Sequence, residues 1–129
     1  MATIPTPEAG LVISYAYLWH HEHQDGQEEG RKNRPAVIVL PITHAAPADP
    51  ETAIEVPRAV KQHLGLNDER SWIVVAEGNH FLWPGYDLRK TPRAERYDYG
   101  FLPPRFFDQV IEAFIACHKA SKRLLTPRE

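Results

Sequence analysis

Hydrophobic and polar positions change period along the chain, and the changes mark its elements. From Leu11 to Trp19 large groups alternate with smaller ones: Leu11, Ile13, Tyr15, Tyr17 and Trp19 on one face, Val12, Ser14, Ala16 and Leu18 on the other, which predicts a strand. A polar, acidic stretch, His20 to Gly30, follows as a long hairpin loop. Ala36 to Leu40 is then apolar throughout, β-branched and bounded by turn residues, the pattern of a strand buried on both faces. Pro35 at its entrance fixes φ and biases Arg34 towards extended backbone, so the guanidinium is predicted at the rim of a sheet. The run leaves through Pro41, Ile42, Thr43 and His44, placing a hydroxyl and an imidazole directly after the strand.

Beyond a proline-rich loop over Ala45 to Glu51, Thr52 to Val56 alternates as a short strand. Pro57 suits a helix start, Arg58 to Leu64 supplies about two turns, and Gly65 ends them. Ser71 to Glu77 reads as a second apolar strand, Gly78-Asn79 as a turn, Phe81 to Trp83 as extended again, and Pro84-Gly85 as its close. Arg89 to Tyr99 is charged and proline-interrupted, hence a loop. From Pro104 the period becomes helical. Phe107, Val110, Ile111 and Phe114 form the predicted core stripe, with Asp108 in the first turn and Lys119, Lys122 and Arg123 towards the end, as the helix dipole favours. These elements predict an α+β, mainly β fold: a small barrel or strongly bent antiparallel sheet with a short helix and one long C-terminal helix.

Composition narrows this further. At 129 residues and 43% hydrophobic the chain suits one compact domain over 1–129, with 1–9 as a mobile or surface-hugging tail. Twelve prolines against seven glycines favour short elements and stiff turns. A net charge of -2 gives no global attraction for nucleic acid, so such binding has to come from local patches. The single cysteine, Cys117, excludes an internal disulfide and suits a reducing cytoplasm, and no apolar run approaches the roughly 20 residues of a membrane span.

Local chemistry is concentrated in a few places. Arg31, Lys32 and Arg34 share one basic turn, and Arg89, Lys90, Arg93 and Arg96 form a second cationic cluster able to track a phosphate backbone. His44 and His80 are candidates for binding or proton shuttling, imidazole titrating near neutrality. His20, His21 and His23 with Glu22 have no cysteine beside them for a structural zinc, so they read as a solvated loop and no metal or other cofactor is expected. Cys117, close to the helical stripe, reads as a packed thiol, and Trp72, Phe81 and Trp83 as core rings before base-stacking platforms.

In their order, Gly10 with its strand, the polar loop, the Arg34-Pro35 strand, the Ile42-Thr43-His44 exit, the Ser71 to Glu77 strand and the final helix resemble the PemK/MazF family of toxin-antitoxin ribonucleases. The resemblance covers Gly10 to about Ser121. It implies an SH3-like barrel with appended helices, usually a homodimer, that cuts single-stranded RNA without a metal and is held inactive by a cognate antitoxin. By motif match Arg34 and Thr43 would be the catalytic pair; Arg31, Lys32, His44, His80 and Arg89 are the accompanying binding candidates. Two positions depart from the family. Leu11 stands where an acidic residue usually follows the glycine, and Thr43 comes nine residues after Arg34, without the intervening hairpin and strand. One straight strand would hold Arg34 and Thr43 about 30 Å apart, so a sharp turn near Pro41 or a partner subunit is required to bring them to one phosphate. The alternative is a non-catalytic module of the same fold that grips nucleic acid or protein, since CcdB-type toxins, which poison a topoisomerase, show that the fold does not set the activity.

Overall fold

The computed structural model describes residues 4–17, 19, 36–84, 88–91, 96–119 and 124–127. Within them the apolar run after Pro35 is two strands. β2 (Ala36–Val39) pairs antiparallel with β6 (Glu77–Leu82), Ala36 opposite Leu82 and Val39 opposite Asn79. β3 (Ile42–Thr43) pairs with β5 (Trp72–Val74), Ile42 opposite Ile73. Between the Val39–Asn79 and Ile42–Ile73 pairs one segment advances three residues and the other six. The surplus bends both segments together, as a bulge does on a smaller scale. Pro41 has no N–H to continue a ladder, and its carbonyl instead accepts from Val74 N (2.9 Å). Across the bend, Val75 N and Ala76 N both donate to Thr52 O (2.8 and 3.2 Å).

Each half of the bent pair gains a further strand. β4 (Ala53–Glu55) covers the other edge of β5, aligning Ile54 with Ile73, and β8 (Leu124–Pro127) adds parallel to β6. A separate ribbon joins β1 (Leu11–Ile13) to β7 (Asp98–Phe101) with a register shift between Val12 and Ile13. The described strands therefore form three small sheets, antiparallel except for β6–β8, and do not close into a barrel. Among the described residues two α-helices complete the α+β fold: α1 (Arg58–Leu64), stopped by Gly65 in the left-handed region at φ 74, and α2 (Pro104–Lys119). Val12, Val56, Val60, Leu64, Ile73, Val75, Phe106, Val110 and Cys117 form the core between the β3–β5–β4 sheet and the helices.

Several expectations are corrected. The run 36–40 is not buried on both faces: Ile38 is 48% exposed and Val37, Val39 and Leu40 are half-buried. Gly78-Asn79 is no turn but lies inside β6; a Cβ on Gly78 would meet Val39 O at 2.9 Å, so the glycine permits close approach of the paired backbone at the bend. The first strand ends at Ile13, after which Ser14 N donates to Tyr97 O (2.8 Å) and Tyr15 bridges Leu88. Residues Asp98 and Tyr99, expected in a loop, belong to β7. The buried positions of α2 are Phe106, Val110 and Cys117: Val110 keeps its predicted place and Phe114 packs against the core, but Phe106 rather than Phe107 is buried and Ile111 is 37% exposed. Asp108 falls in the second turn, so no acidic residue faces the N-terminal dipole. Of the tail's described residues, Pro5 is held to the fold, Trp83 Nε1 donating to its carbonyl (3.0 Å), in line with the surface-hugging alternative. Among the described residues no helix is long and apolar enough to cross a membrane.

Ile73 touches both neighbouring strands and is 4% exposed. Ile73→Ala is expected to destabilise the fold by about 2–5 kcal/mol. Ile115→Ala, at 45% exposure, should stay within about 0.5 kcal/mol. Urea midpoints for the two variants check the assignment of the core.

Candidate functional site

The exit of β3 meets the loop after α1 in a polar network. Pro57 opens α1 in extended backbone and Gly65 closes it, which places Lys61 one turn before the end of the helix, facing inward. Its side chain, with the residue only 5% exposed, would leave an ammonium stranded without partners. Lys61 Nζ donates to Asn67 Oδ1 (3.1 Å), to Ser71 Oγ (2.8 Å) and to the Glu69 carbonyl. All three of its protons are thereby used. The returning loop is tied further by Leu66 N to Lys61 O (2.9 Å) and Glu69 N to Asn67 Oδ1 (3.1 Å).

His44 closes the network from the other side. Its Nδ1 lies 2.9 Å from Arg70 O and 3.2 Å from Ser71 Oγ, and its Nε2 lies 3.2 Å from Asn67 Nδ2. Thr43 Oγ1, one residue earlier, accepts from Ala45 N (3.1 Å) and shapes the turn that presents the ring. Arg70, whose carbonyl receives His44, is itself held. Its guanidinium makes two 2.8 Å contacts with Glu55 and stacks 5.0 Å from the Trp72 ring centroid.

His44, Asn67 and Ser71 lie at the polar end of a cavity of about 780 Å³. Its remaining wall is largely apolar, with Ile13 and Tyr15 from the β1 segment, Val39 and Ile42 from the bent strand, and Phe107 and Phe114 from α2. A half-open, largely apolar cleft of this size with a few convergent polar groups is the form of a small-ligand site.

The sequence candidates are divided by this geometry. Arg31, Lys32 and Arg34, with His20, His21, His23 and Arg93, lie outside the described residues. His44 lines the cavity, whereas Thr43, its neighbour in sequence, does not and makes only the local contact with Ala45 N. His80 is exposed in β6, opposite Ile38 and in another sheet, and it does not line the cavity. Arg89 lies on the segment beyond β6, its backbone N donating to Ser14 O (2.8 Å) and its Nη1 to Leu88 O (3.0 Å), and it too stays away from the cavity. Arg96 pairs with Asp98 (2.9 Å). Trp72, Phe81 and Trp83 are buried, and Phe81 stacks on Tyr15 at 5.2 Å, so these rings pack the interior. Cys117 is buried with Sγ 3.1 Å from Glu51 O, a packed thiol. Tyr17 donates to Glu77 Oε2 (3.0 Å), and burial together with that carboxylate pushes its phenol far above the ordinary range. Lys61, Asn67 and Ser71 were missed because they read as ordinary polarity of a helix, a loop and a strand start; the tight αL stop at Gly65, from which the chain turns back towards Lys61, was the one available signal.

No protein-family model, curated protein or solved structure matches the chain.

The Arg70 hydrogen bonds and charge hold the Glu55 carboxyl below its ordinary range, and Glu55 in turn raises Arg70. A carboxyl lowered in the folded state contributes stability that is complete above its unfolded value, about 4.3, and is lost as pH falls through the lower folded one. Arg70→Ala should return Glu55 to its ordinary titration, read as a carboxyl carbon shift against pH. An unchanged midpoint in that variant would remove Arg70 as the cause.

Proposed function

We propose that the chain is a PemK/MazF-like toxin: a metal-independent endoribonuclease for single-stranded RNA, acting as a cytoplasmic homodimer and held inactive by a cognate antitoxin. The observation that supports it is the bend at Leu40–Pro41, where the segment leaves β2 and the β6 partner for β3 and the β5 partner. A bend there is what Arg34 and Thr43 need if they are to act on one phosphate despite their short separation in sequence. Two segments kinked together also make the kind of corner on which a small SH3-like barrel is built, and the fold is read as a distorted relative of that class.

The chemistry follows from the residue types. The RNA carries its own nucleophile, the 2′-hydroxyl, so the protein has to move a proton and stabilise a phosphorane. His44 Nε2 takes the 2′-hydroxyl proton, the freed oxygen attacks phosphorus, and the bond to the 5′-oxygen breaks. The leaving oxygen recovers the proton, giving a 2′,3′-cyclic phosphate and a 5′-hydroxyl. Arg34 supplies a two-pronged cation for the phosphate oxygens, with Arg31 and Lys32 beside it, and Thr43 orients the 2′-hydroxyl or the phosphate. The ordered contacts of His44 favour it over His80 as the proton carrier.

A second reading, a binding module without cutting activity, draws on a specific contact: Thr43 Oγ1 is already occupied by Ala45 N. The two readings separate on a gel. Incubated with a long RNA in the presence of a chelator, the protein is expected to cut; loss of cutting on chelation, restored by a divalent ion, would defeat the metal-free mechanism. Inactivity of folded protein that still retains RNA would favour the binding module.

Arg34→Ala should abolish most cutting while shifting stability by no more than about 1 kcal/mol, as for an exposed charge. Arg34→Lys keeps the charge and loses the fork. Full activity in the lysine variant would argue against bidentate contact, and a large fall in melting temperature for either variant would assign Arg34 to the core.

A further inference from the structure

The geometry points to Asn67 as the positioning residue of the site: oriented by buried Lys61, it sets His44 as the neutral Nδ1–H tautomer with Nε2 as the acceptor. The assignment is over-determined. Asn67 Oδ1 sits 3.1 Å from Lys61 Nζ and 3.1 Å from Glu69 N, two groups that can only donate. Turning the amide over would bring an NH₂ against an ammonium and a backbone N–H. Its Nδ2 therefore faces His44, and a donor 3.2 Å from Nε2 requires that nitrogen to be unprotonated. From the opposite side, Arg70 O, 2.9 Å from Nδ1, can only accept, which requires a proton there. Ser71 Oγ bridges the same nitrogen to Lys61 Nζ at 3.2 and 2.8 Å. Each end of the ring is thus set by a group that has no freedom to change its role, the outer contact doing for the imidazole what second-sphere partners do for a ligating histidine.

The consequence concerns which nitrogen works. Nδ1 is committed to Arg70 O inside the loop, so the lone pair available to a substrate is on Nε2, at the polar end of the cavity and held by one long hydrogen bond from Asn67. A 2′-hydroxyl donating to Nε2 would replace the amide as its partner, and the tautomer would already be the productive one. This role rests on reading His44 as the proton acceptor in RNA cleavage; the tautomer itself does not.

The experiment keeps the two apart. Long-range proton–nitrogen spectra of ¹⁵N-labelled full-length protein near neutral pH, with His44 signals identified by their loss in His44→Gln, report each ring nitrogen without RNA present. The expected wild-type pattern is a protonated, pyrrole-type Nδ1 and a pyridine-type Nε2. Asn67→Asp keeps an oxygen on Lys61 and Glu69 N and offers a second oxygen to the ring, so Nε2 should become protonated while Nδ1 remains so. A wild-type Nε2 that carries the proton overturns the inference, as does a folded Asn67→Asp variant whose Nε2 stays pyridine-type. The wild-type spectrum decides the tautomer whether or not the variant folds. In the cutting assay Asn67→Asp is expected to lose roughly 10²–10⁴-fold in rate, the contribution of an acid–base group, with little change in KM. Undiminished cutting by that variant would remove Asn67 from the mechanism. Absence of cutting by the wild type would overturn the nuclease reading and leave the tautomer to the spectrum.

Discussion

Two antiparallel segments of unequal length cannot stay flat, and this mismatch governs the molecule. Three residues from Val39 to Ile42 have to keep pace with six from Ile73 to Asn79. Strand pairing on both sides of the surplus leaves the chain one solution, a kink in both segments at the same level. Proline on the shorter segment removes a donor where the ladder is interrupted, and Gly78 on the longer one removes the Cβ that would strike Val39 O. The kink turns one antiparallel pair of segments, joined through β4 and α1, into the seed of two sheets, and it brings Thr43 and His44 near the loop that follows α1.

That loop is ordered by a single buried cation. An ammonium taken from water is strongly destabilising unless its protons are matched, and Lys61 finds three acceptors within one loop turn: Asn67, the Glu69 carbonyl and Ser71. Satisfying the cation consumes the acceptors and so decides their orientation, and the orientation passes to His44. The salt bridge of Arg70 with Glu55 and its stacking on Trp72 restrain the same loop from outside. Exposed charge alone contributes little to such a restraint, whereas the bidentate geometry and the ring beneath it limit where the Arg70 carbonyl can lie.

The apolar side of the site follows from how α2 is seated. Phe106, Val110 and Cys117 are buried in the core, Phe107 lines the cavity, and Val110 and Phe114 serve both, packing in or against the core while lining the cavity. A helix that is apolar over so wide an arc can pack the core and border open space with the same side.

Much of the architecture was legible along the chain. Alternation located strands that begin at Leu11 and cover 53–55, a continuous apolar run located the one over 36–39, proline and glycine bracketed α1 to the residue, and the change to helical period located α2 from Pro104. Pro41 was recognisable as the place where a turn was needed. What sequence pattern could not supply was anything that depends on comparing distant segments. The register surplus, the strand status of Gly78-Asn79, the pairing of β7 with β1 and the parallel seat of β8 each compare stretches far apart in the chain, while periodicity reports only on neighbours. At the start of the helical stripe Phe106 rather than Phe107 is buried, because the two are equally apolar and only the packing surface chooses between them. The site divides in the same way. Thr43 and His44 were visible as polar residues ending an apolar run, but Lys61, Asn67 and Ser71 became a site only when the Gly65 stop folded their loop onto the helix, since hydrogen bonds between them act through space and leave no local mark.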